Sequence, residues 1–98
     1  MLDLAALTAK TGNEFAMFTR KGERLVVRGN SNRVLIDERR ATALRGAGYR
    51  WSGHTHTGFS DASLTVSNGD RIILSIFGQK NASVYNAVGK HEVFNAKE

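Results

Sequence analysis

The sequence predicts an α+β domain, built as a small mixed or antiparallel sheet with two or three helices. Its 98 residues suit one small domain over residues 1–98. Hydrophobic residues make up 41% of the chain and charged residues 23%, which is the balance of a globular domain. Segments typical of helices and of strands also alternate along the chain, and runs of strands separated by helices are typical of the α+β class.

The first half of the chain predicts a helix, a hairpin, a short strand and a second helix. Good helix formers fill the first segment, and a glycine follows it at the usual end of a helix. Apolar and aromatic residues flank a Lys-Gly turn and predict the hairpin. An aspartate precedes an alanine-rich segment and can cap it as a helix. In order, these are helix 2–10, strands 14–19 and 24–28, strand 34–36, and helix 38–46 with Asp37 as its cap.

The second half predicts a strand, a loop, a helix and a final pair of strands. Residues 49–56 alternate, which places Trp51 on one face of the strand and His54 and His56 on the other. Ser67 begins a helix with isoleucines on one side, and Gly78 ends it. The remaining predicted strands cover residues 64–66, 82–86 and 92–95.

Cysteine is absent from the sequence. Disulfides and thiolate metal sites are therefore excluded. Any zinc site in this chain must use nitrogen and oxygen ligands, which suit an open catalytic site better than a closed structural one.

The chain carries a net charge of +5 and has a pI of about 10.1. This balance favours an acidic partner, but the basic residues are scattered and form adjacent pairs only at Arg20-Lys21 and Arg39-Arg40. The scatter indicates a solvated basic surface more than a nucleic-acid interface, so nucleic acid is a less favoured partner. An acidic partner that neutralises this charge is the second interpretation. No apolar run approaches the roughly 20 residues that cross a bilayer, and no signal-peptide pattern is found. We therefore expect no membrane partner and a cytoplasmic site of action.

Two histidines lie two residues apart on a predicted strand. His54 and His56 leave the same face, with Cα atoms about 7 Å apart, so their imidazoles can converge on one metal ion. A catalytic zinc needs a third protein ligand, with water in the fourth position. Asp70 is the natural candidate, because it lies in the first turn of the following helix.

The spacing alone leaves other interpretations open. A His-x-His pair can be ordinary polar surface. Ser67 and Asp70 also fit a capping box, which needs no metal. Glu38 and Asp61 are competing acidic candidates, and Asp61 could replace Asp70 as the ligand.

The order of these motifs resembles the signature of the JAB/MPN (JAMM) metalloprotease family. That signature has a glutamate on an early strand, then His-x-His-Pro, a loop and Ser-x-x-Asp. Here the three parts are Glu14 to Phe18, Trp51 to His56, and Ser67 to Asp70, so the resemblance extends from Glu14 to about Phe94. Thr57 replaces the proline, ten residues separate His56 from Ser67, and the chain is short, which indicates a minimal, divergent branch.

The resemblance implies a role for each residue of the motif. His54, His56 and Asp70 would hold Zn²⁺ and a water molecule, and Glu14 would be the general base for that water. Ser67 would donate a hydrogen bond to the developing oxyanion. Without the resemblance, Glu14 is better interpreted as a surface residue at the start of an edge strand.

The activity that the resemblance implies is that of a zinc-dependent peptidase or isopeptidase acting on a protein or peptide. The small size suggests a toxin module delivered as part of a secreted protein, with an acidic inhibitory (immunity) protein as partner. A metal-dependent nuclease and a non-catalytic JAB/MPN-like interaction module are the two alternatives.

Overall fold

The computed structural model describes residues 1–31 and 36–96. In chain order the elements are α1 (Leu2–Thr11), β1 (Phe15–Arg20), β2 (Glu23–Arg28), α2 (Glu38–Gly46), β3 (Arg50–Thr55), a 3₁₀ helix (Asp61–Leu64), α3 (Asn68–Ile76), β4 (Asn81–Tyr85) and β5 (His91–Asn95). The predicted α+β class is confirmed. The described part of the chain contains no helix that is long and apolar enough to cross a bilayer.

Most predicted elements are found within two residues of their expected bounds, but the strand predicted over residues 64–66 is wrong. Leu64 ends the 3₁₀ helix, and Thr65 and Val66 lie in no regular element. Local hydrogen bonds explain the difference, because Ser63 N donates to Ser60 O and Thr65 N to Ala62 O. These turns satisfy the backbone without a neighbouring strand. Two residues of the strand predicted over 34–36 lie outside the described residues.

The five strands form one mixed sheet in the order β2-β1-β3-β4-β5. β3 and β4 are parallel, and the other neighbouring strands are antiparallel. Helix α3 lies in the connection between β3 and β4, as a parallel pair requires a crossover. Strand β3 is therefore central, with β1 on one side and β4 on the other.

Helices cover both faces of this sheet. On one face α1 buries Leu4 and Thr8, and Thr8 Oγ1 lies 2.6 Å from Thr55 Oγ1. The larger hydrophobic core lies on the opposite face, where α2 and α3 pack against the sheet. Its members include Phe18, Trp51, Leu74, Phe77 and Phe94, all at most 6% exposed.

A bulge in β3 changes which side chains share a face. Opposite β1, His54 pairs with Ala16 and Trp51 pairs with Phe18, so Ser52 is an extra residue between them. A bulge of this kind shifts the alternation by one residue. Trp51 and His54 therefore lie on the same face, with ring centroids 5.0 Å apart. The prediction that they face opposite ways is wrong, because simple alternation assumes an unbroken ladder.

The side chain of Gln79 makes the hydrogen bonds to the backbone of Trp51 that a neighbouring strand would otherwise make. Trp51 N donates to Gln79 Oε1 at 2.6 Å, and Gln79 Nε2 donates to Trp51 O at 2.8 Å. The amide is buried and also donates to Asn81 O at 3.2 Å. One amide thus satisfies both backbone groups of Trp51, just before the strand reaches His54.

We expect Gln79→Ala to lower the free energy of unfolding by about 2–3 kcal/mol, because it leaves the buried N–H and C=O of Trp51 unpaired. Chemical denaturation measures this loss. Glu92→Gln, on the exposed β5, is the matched control and is expected to change stability by less than about 0.5 kcal/mol. A loss from Gln79→Ala no larger than the control's would contradict the structural role of this amide.

Candidate metal centre

A cleft of about 760 Å³ opens on the side of the sheet covered by α2 and α3. All five residues singled out from the sequence line it: Glu14, His54, His56, Ser67 and Asp70. They come from the start of β1, the end of β3 and the first turn of α3. The fold therefore brings together residues that are up to 56 positions apart in the chain.

The two histidines converge at the end of β3. His54 lies in the strand, and His56 N still donates to Tyr85 O of β4 at 2.8 Å, so the backbone stays aligned one residue beyond β3. Their Nε2 atoms are 3.0 Å apart. The spacing of two residues thus produces the convergence that the sequence predicts.

One carboxylate oxygen of Asp70 both takes part in the capping box of α3 and faces the two histidines. Asp70 N donates to Ser67 Oγ at 3.1 Å, and Ser67 N donates to Asp70 Oδ2 at 3.1 Å, which is a complete capping box. Asp70 Oδ2 also lies 3.5 Å from His54 Nε2 and 3.8 Å from His56 Nε2. The capping box and the metal-ligand interpretation are therefore compatible, because the cap fixes the carboxylate in front of the two rings.

The three donor atoms have the spacing of ligands around one small cation. Their separations of 3.0, 3.5 and 3.8 Å define a triangle whose corners lie about 2.0 Å from its centre, close to the 2.0–2.2 Å of zinc–nitrogen and zinc–oxygen bonds. A metal ion bound here would be held by these three atoms and would supply Lewis acidity. His54, His56 and Asp70 could therefore hold a metal ion.

The surroundings of His56 favour the tautomer that a metal needs. Its Nδ1 lies 2.6 Å from Ser63 O, and a carbonyl oxygen can only accept, so the ring proton is on Nδ1 and the lone pair on Nε2. Burial and the neighbouring charge of His54 lower the pKa of His56. The ring is thus kept neutral and oriented, and at metal sites a carbonyl that accepts from the other ring nitrogen orients a histidine ligand in the same way.

His54 is held by packing, in contrast to His56. It is 2% exposed, and its ring lies 5.0 Å from that of Trp51 and 5.4 Å from that of Phe94. Within the described residues its buried Nδ1 has no hydrogen-bond partner. Aromatic contacts therefore fix the ring position, at the cost of one unpaired polar atom.

The carboxylate of Asp70 is ionised throughout the neutral range. Burial alone would raise its pKa, but the hydrogen bond and charge of His54, the Ser67 amide and the charge of His56 together lower the pKa of Asp70 to about 2. An anionic oxygen is therefore ready beside the two imidazoles.

Glu14 is a second carboxylate of the cleft, in a different environment. Its backbone is fixed, because Glu14 N donates to Asn30 O and Glu14 O accepts from Gly29 N. Its side chain is 7% exposed and receives no hydrogen bond from any described residue. Burial first, and the charge of Asp70 second, raise the pKa of Glu14 to about 7. The interpretation of Glu14 as a surface residue of an edge strand is wrong, since β1 lies between β2 and β3.

The competing acidic candidates do not join the three-ligand group. Asp61 is exposed and pairs with Lys90 at 2.8 Å, so it does not replace Asp70. Glu38 lines the cleft without joining the three-ligand group. His91 is exposed and stacks on Tyr85 with centroids 4.6 Å apart.

Two contributions to the site were not predicted from the sequence. Asp37 was identified only as the cap of α2, but it also lines the cleft. Ser63 contributes its backbone carbonyl to His56, and a backbone group leaves no signature in the residue types. Both residues are identified by their position next to the cleft, and that position is known only once the fold is known.

Comparisons with protein-family models, with curated proteins and with solved structures give no match to this chain. The capacity to hold a metal ion therefore rests on the geometry of the three donor atoms, and the JAB/MPN resemblance stays a hypothesis based on its motifs.

The raised pKa of Glu14 predicts a stability that falls with pH in the metal-free protein. Its pKa of about 7 in the folded state exceeds the ordinary 4.5, so the folded state binds more protons and loses stability as the pH rises from 4.5 to 7. We expect Glu14→Gln to be more stable than the wild type by up to about 3 kcal/mol near pH 8, with no difference near pH 4. Chemical denaturation at both pH values measures this. A difference that is absent, or the same at both pH values, would contradict the raised pKa.

Proposed function

We propose that this protein is a zinc-dependent hydrolase, specifically a peptidase or isopeptidase. The observation that carries the proposal is the triangle of His54 Nε2, His56 Nε2 and Asp70 Oδ2, with the dimensions of a metal site. Glu14, a buried carboxylate without a hydrogen-bond donor among the described residues, lines the same cleft. A metal site beside a free base is the minimum apparatus for activating water.

Zinc is the metal that this donor set favours. Two imidazole nitrogens and one carboxylate oxygen match catalytic zinc sites with three protein ligands. Calcium and magnesium prefer shells made of oxygen alone. When bound, zinc lowers the pKa of a water molecule toward neutrality and polarises the substrate carbonyl.

Glu14 is the residue that moves protons in this proposal. A carboxylate with a pKa of about 7 can accept a proton from the attacking water and still return it near neutral pH. As the C–N bond breaks, that proton passes to the leaving amine. The positive charge of a bound metal would lower this pKa and make the base form more populated.

The hydroxyl of Ser67 can donate a hydrogen bond to the substrate. Its Oγ accepts from Asp70 N as the helix cap, and a hydroxyl that accepts one bond can still donate another. It lines the cleft beside the proposed ligands, so it is the candidate donor to the oxyanion that forms on the substrate carbonyl.

The JAB/MPN resemblance supports a peptide or isopeptide bond as the target. The charge of the cleft also favours a peptidase over a nuclease, because no described lysine or arginine lines the cleft to bind a phosphodiester. A toxin module acting in the cytoplasm, with an acidic inhibitory protein bound to its basic outer surface, is the biological setting that we propose.

We expect one zinc ion to bind per chain, and His56→Ala and Asp70→Asn each to weaken zinc affinity by about 100-fold or more, because each removes one of three ligands. Metal analysis and competition with a chelating dye measure this. Asp70→Asn keeps a side-chain oxygen for the capping box, so its loss of zinc does not depend on unfolding. His91→Ala is the control, since His91 lies outside the site. Zinc affinity that is unchanged in both site variants would exclude the centre.

Hydrolysis is tested with the zinc-loaded protein on an isopeptide-linked ubiquitin-like dimer, a set of unlinked peptides and single-stranded nucleic acid. We expect cleavage of a peptide or isopeptide bond, with Glu14→Gln keeping its zinc and losing about 100- to 10,000-fold in rate. Cleavage of the nucleic acid alone would support the nuclease alternative. A zinc-loaded protein that cleaves none of the three would support the non-catalytic module.

The two roles of Ser67 predict different results for two substitutions. Ser67→Ala is expected to cost about 1 kcal/mol as a lost cap, whereas Ser67→Gly costs only a few tenths. Both are expected to lower the rate of hydrolysis by about 100- to 1000-fold, because both remove the hydroxyl donor. Ser67→Thr keeps cap and donor, and so keeps stability and rate. A rate that follows stability across the three variants would limit Ser67 to the cap.

A further inference from the structure

The described residues that line the cleft carry a charge opposite to that of the chain. The chain has 14 lysine and arginine residues against 9 aspartate and glutamate residues. Four of those nine acidic residues line the cleft, namely Glu14, Asp37, Glu38 and Asp70, and no described lysine or arginine does. The basic residues that produce the net charge of +5 therefore lie outside the cleft, over the part of the chain that the structure describes.

Two of the four acidic residues belong to the proposed catalytic site. A divalent ion with the carboxylates of Asp70 and Glu14 has a formal charge near zero. The remaining pair, Asp37 and Glu38, adds two negative charges at the start of α2. Neither forms an ion pair with another residue in the described ranges, and Arg39 and Arg40 next to them do not line the cleft.

Helix capping explains only part of this arrangement. Asp37 Oδ1 accepts from Arg40 N at 2.8 Å, so Asp37 is the cap of α2, and Glu38 is favoured in the first turn by the helix dipole. Capping does not require the described basic residues to avoid the cleft. The second carboxylate oxygen of Asp37 and the exposed carboxylate of Glu38 stay available to a ligand.

The same cleft has an apolar wall beside these charges. Ile36 immediately precedes Asp37, and Ile72 and Ile73 of α3 also line the cleft. Ile72 is 49% exposed although it is a large aliphatic residue. An aliphatic wall next to exposed carboxylates complements a side chain with a long apolar stem and a cationic end.

We propose that the cleft binds a polypeptide segment with a lysine or arginine side chain, whose cationic end contacts Asp37 and Glu38 and whose stem packs on the isoleucines. The inference rests on the proposed function in that it names the substrate class of the same site. The buried Glu14 carboxylate, which receives no hydrogen bond from the described residues, supports a ligand that enters this cleft. Acidic peptides and nucleic acids are disfavoured by the same charges.

The test is a titration of the isotope-labelled protein with three blocked pentapeptides, followed by NMR. The peptides have alanine at all positions but the central one, which is lysine, norleucine or glutamate. Norleucine keeps the apolar stem and removes the charge, so it separates the two contacts. We expect the lysine peptide to bind about 3- to 10-fold more tightly than the norleucine peptide, with shifts in the cleft, and the glutamate peptide to bind most weakly. This order is opposite to the one that the net charge of +5 favours.

Matched variants show whether the preference for lysine depends on the charges of the cleft or on charges elsewhere on the surface. Asp37→Asn combined with Glu38→Gln removes both charges and keeps a good capping residue, and it is expected to abolish the preference for lysine. Glu38→Gln alone is expected to reduce it and avoids any change in the cap. Glu92→Gln on β5 is expected to leave it unchanged. Equal binding of the three peptides, tightest binding of the glutamate peptide, or a preference that survives the double variant would overturn the proposal.

The titration is done with zinc-free and zinc-loaded protein and needs no turnover. A preference for lysine in a protein that neither binds zinc nor cleaves peptides supports the cationic ligand and overturns the hydrolase. Zinc binding and cleavage without any preference overturn the cationic ligand alone.

Discussion

Asp70 Oδ2 accepts a hydrogen bond from Ser67 N at 3.1 Å and lies 3.5 and 3.8 Å from the two histidine Nε2 atoms. This one oxygen connects the first turn of α3 to the end of β3. Because the cap fixes the helix start, the carboxylate cannot turn away from the histidines without leaving Ser67 N unpaired. The helix and the site therefore have the same geometric requirement, and the core beneath α3 positions both.

The site also lowers the stability of the metal-free fold. Glu14 places a carboxyl group in a buried position that raises its pKa to about 7, and the buried Nδ1 of His54 has no partner among the described residues. A chain of 98 residues buries only a modest core, so such costs are a considerable fraction of its stability. A cation between the histidines and Asp70 would offset the cost of burying the Glu14 carboxylate, because it attracts negative charge. Metal binding and folding are therefore expected to be coupled.

Local patterns predicted much of the fold and of the site. The bounds of α2, its cap Asp37 and the capping box of α3 depend on residues within one turn, so they could be derived from the sequence. His54 and His56 converge because the backbone remains extended between them. Asp70 was the natural third ligand because it lies in the first turn of the following helix, but Asp61 was a competing candidate until the structure paired it with Lys90.

The remainder depends on contacts between distant segments. The bulge that brings Trp51 to the face of His54 exists only in the register of β3 against β1. Gln79 bonds to Trp51, which lies 28 positions earlier in the chain. Asp37 and Glu38 at the start of α2 line the cleft, although they lie 16 or more positions before the histidines in the sequence. Neither the glutamine nor the two acidic residues belong to a sequence pattern that identifies their neighbours in the fold. The sequence therefore identified the three residues that could hold a metal ion, but not the packing that fixes them or the acidic residues beside them.

X-ray absorption at the zinc edge of the loaded protein identifies the atoms that bind the metal. We expect four light-atom ligands at about 2.0–2.1 Å, with the multiple-scattering signature of two imidazole rings that falls to one in His56→Ala. Coordination by six oxygen atoms, or by no imidazole, would contradict a centre built from His54, His56 and Asp70.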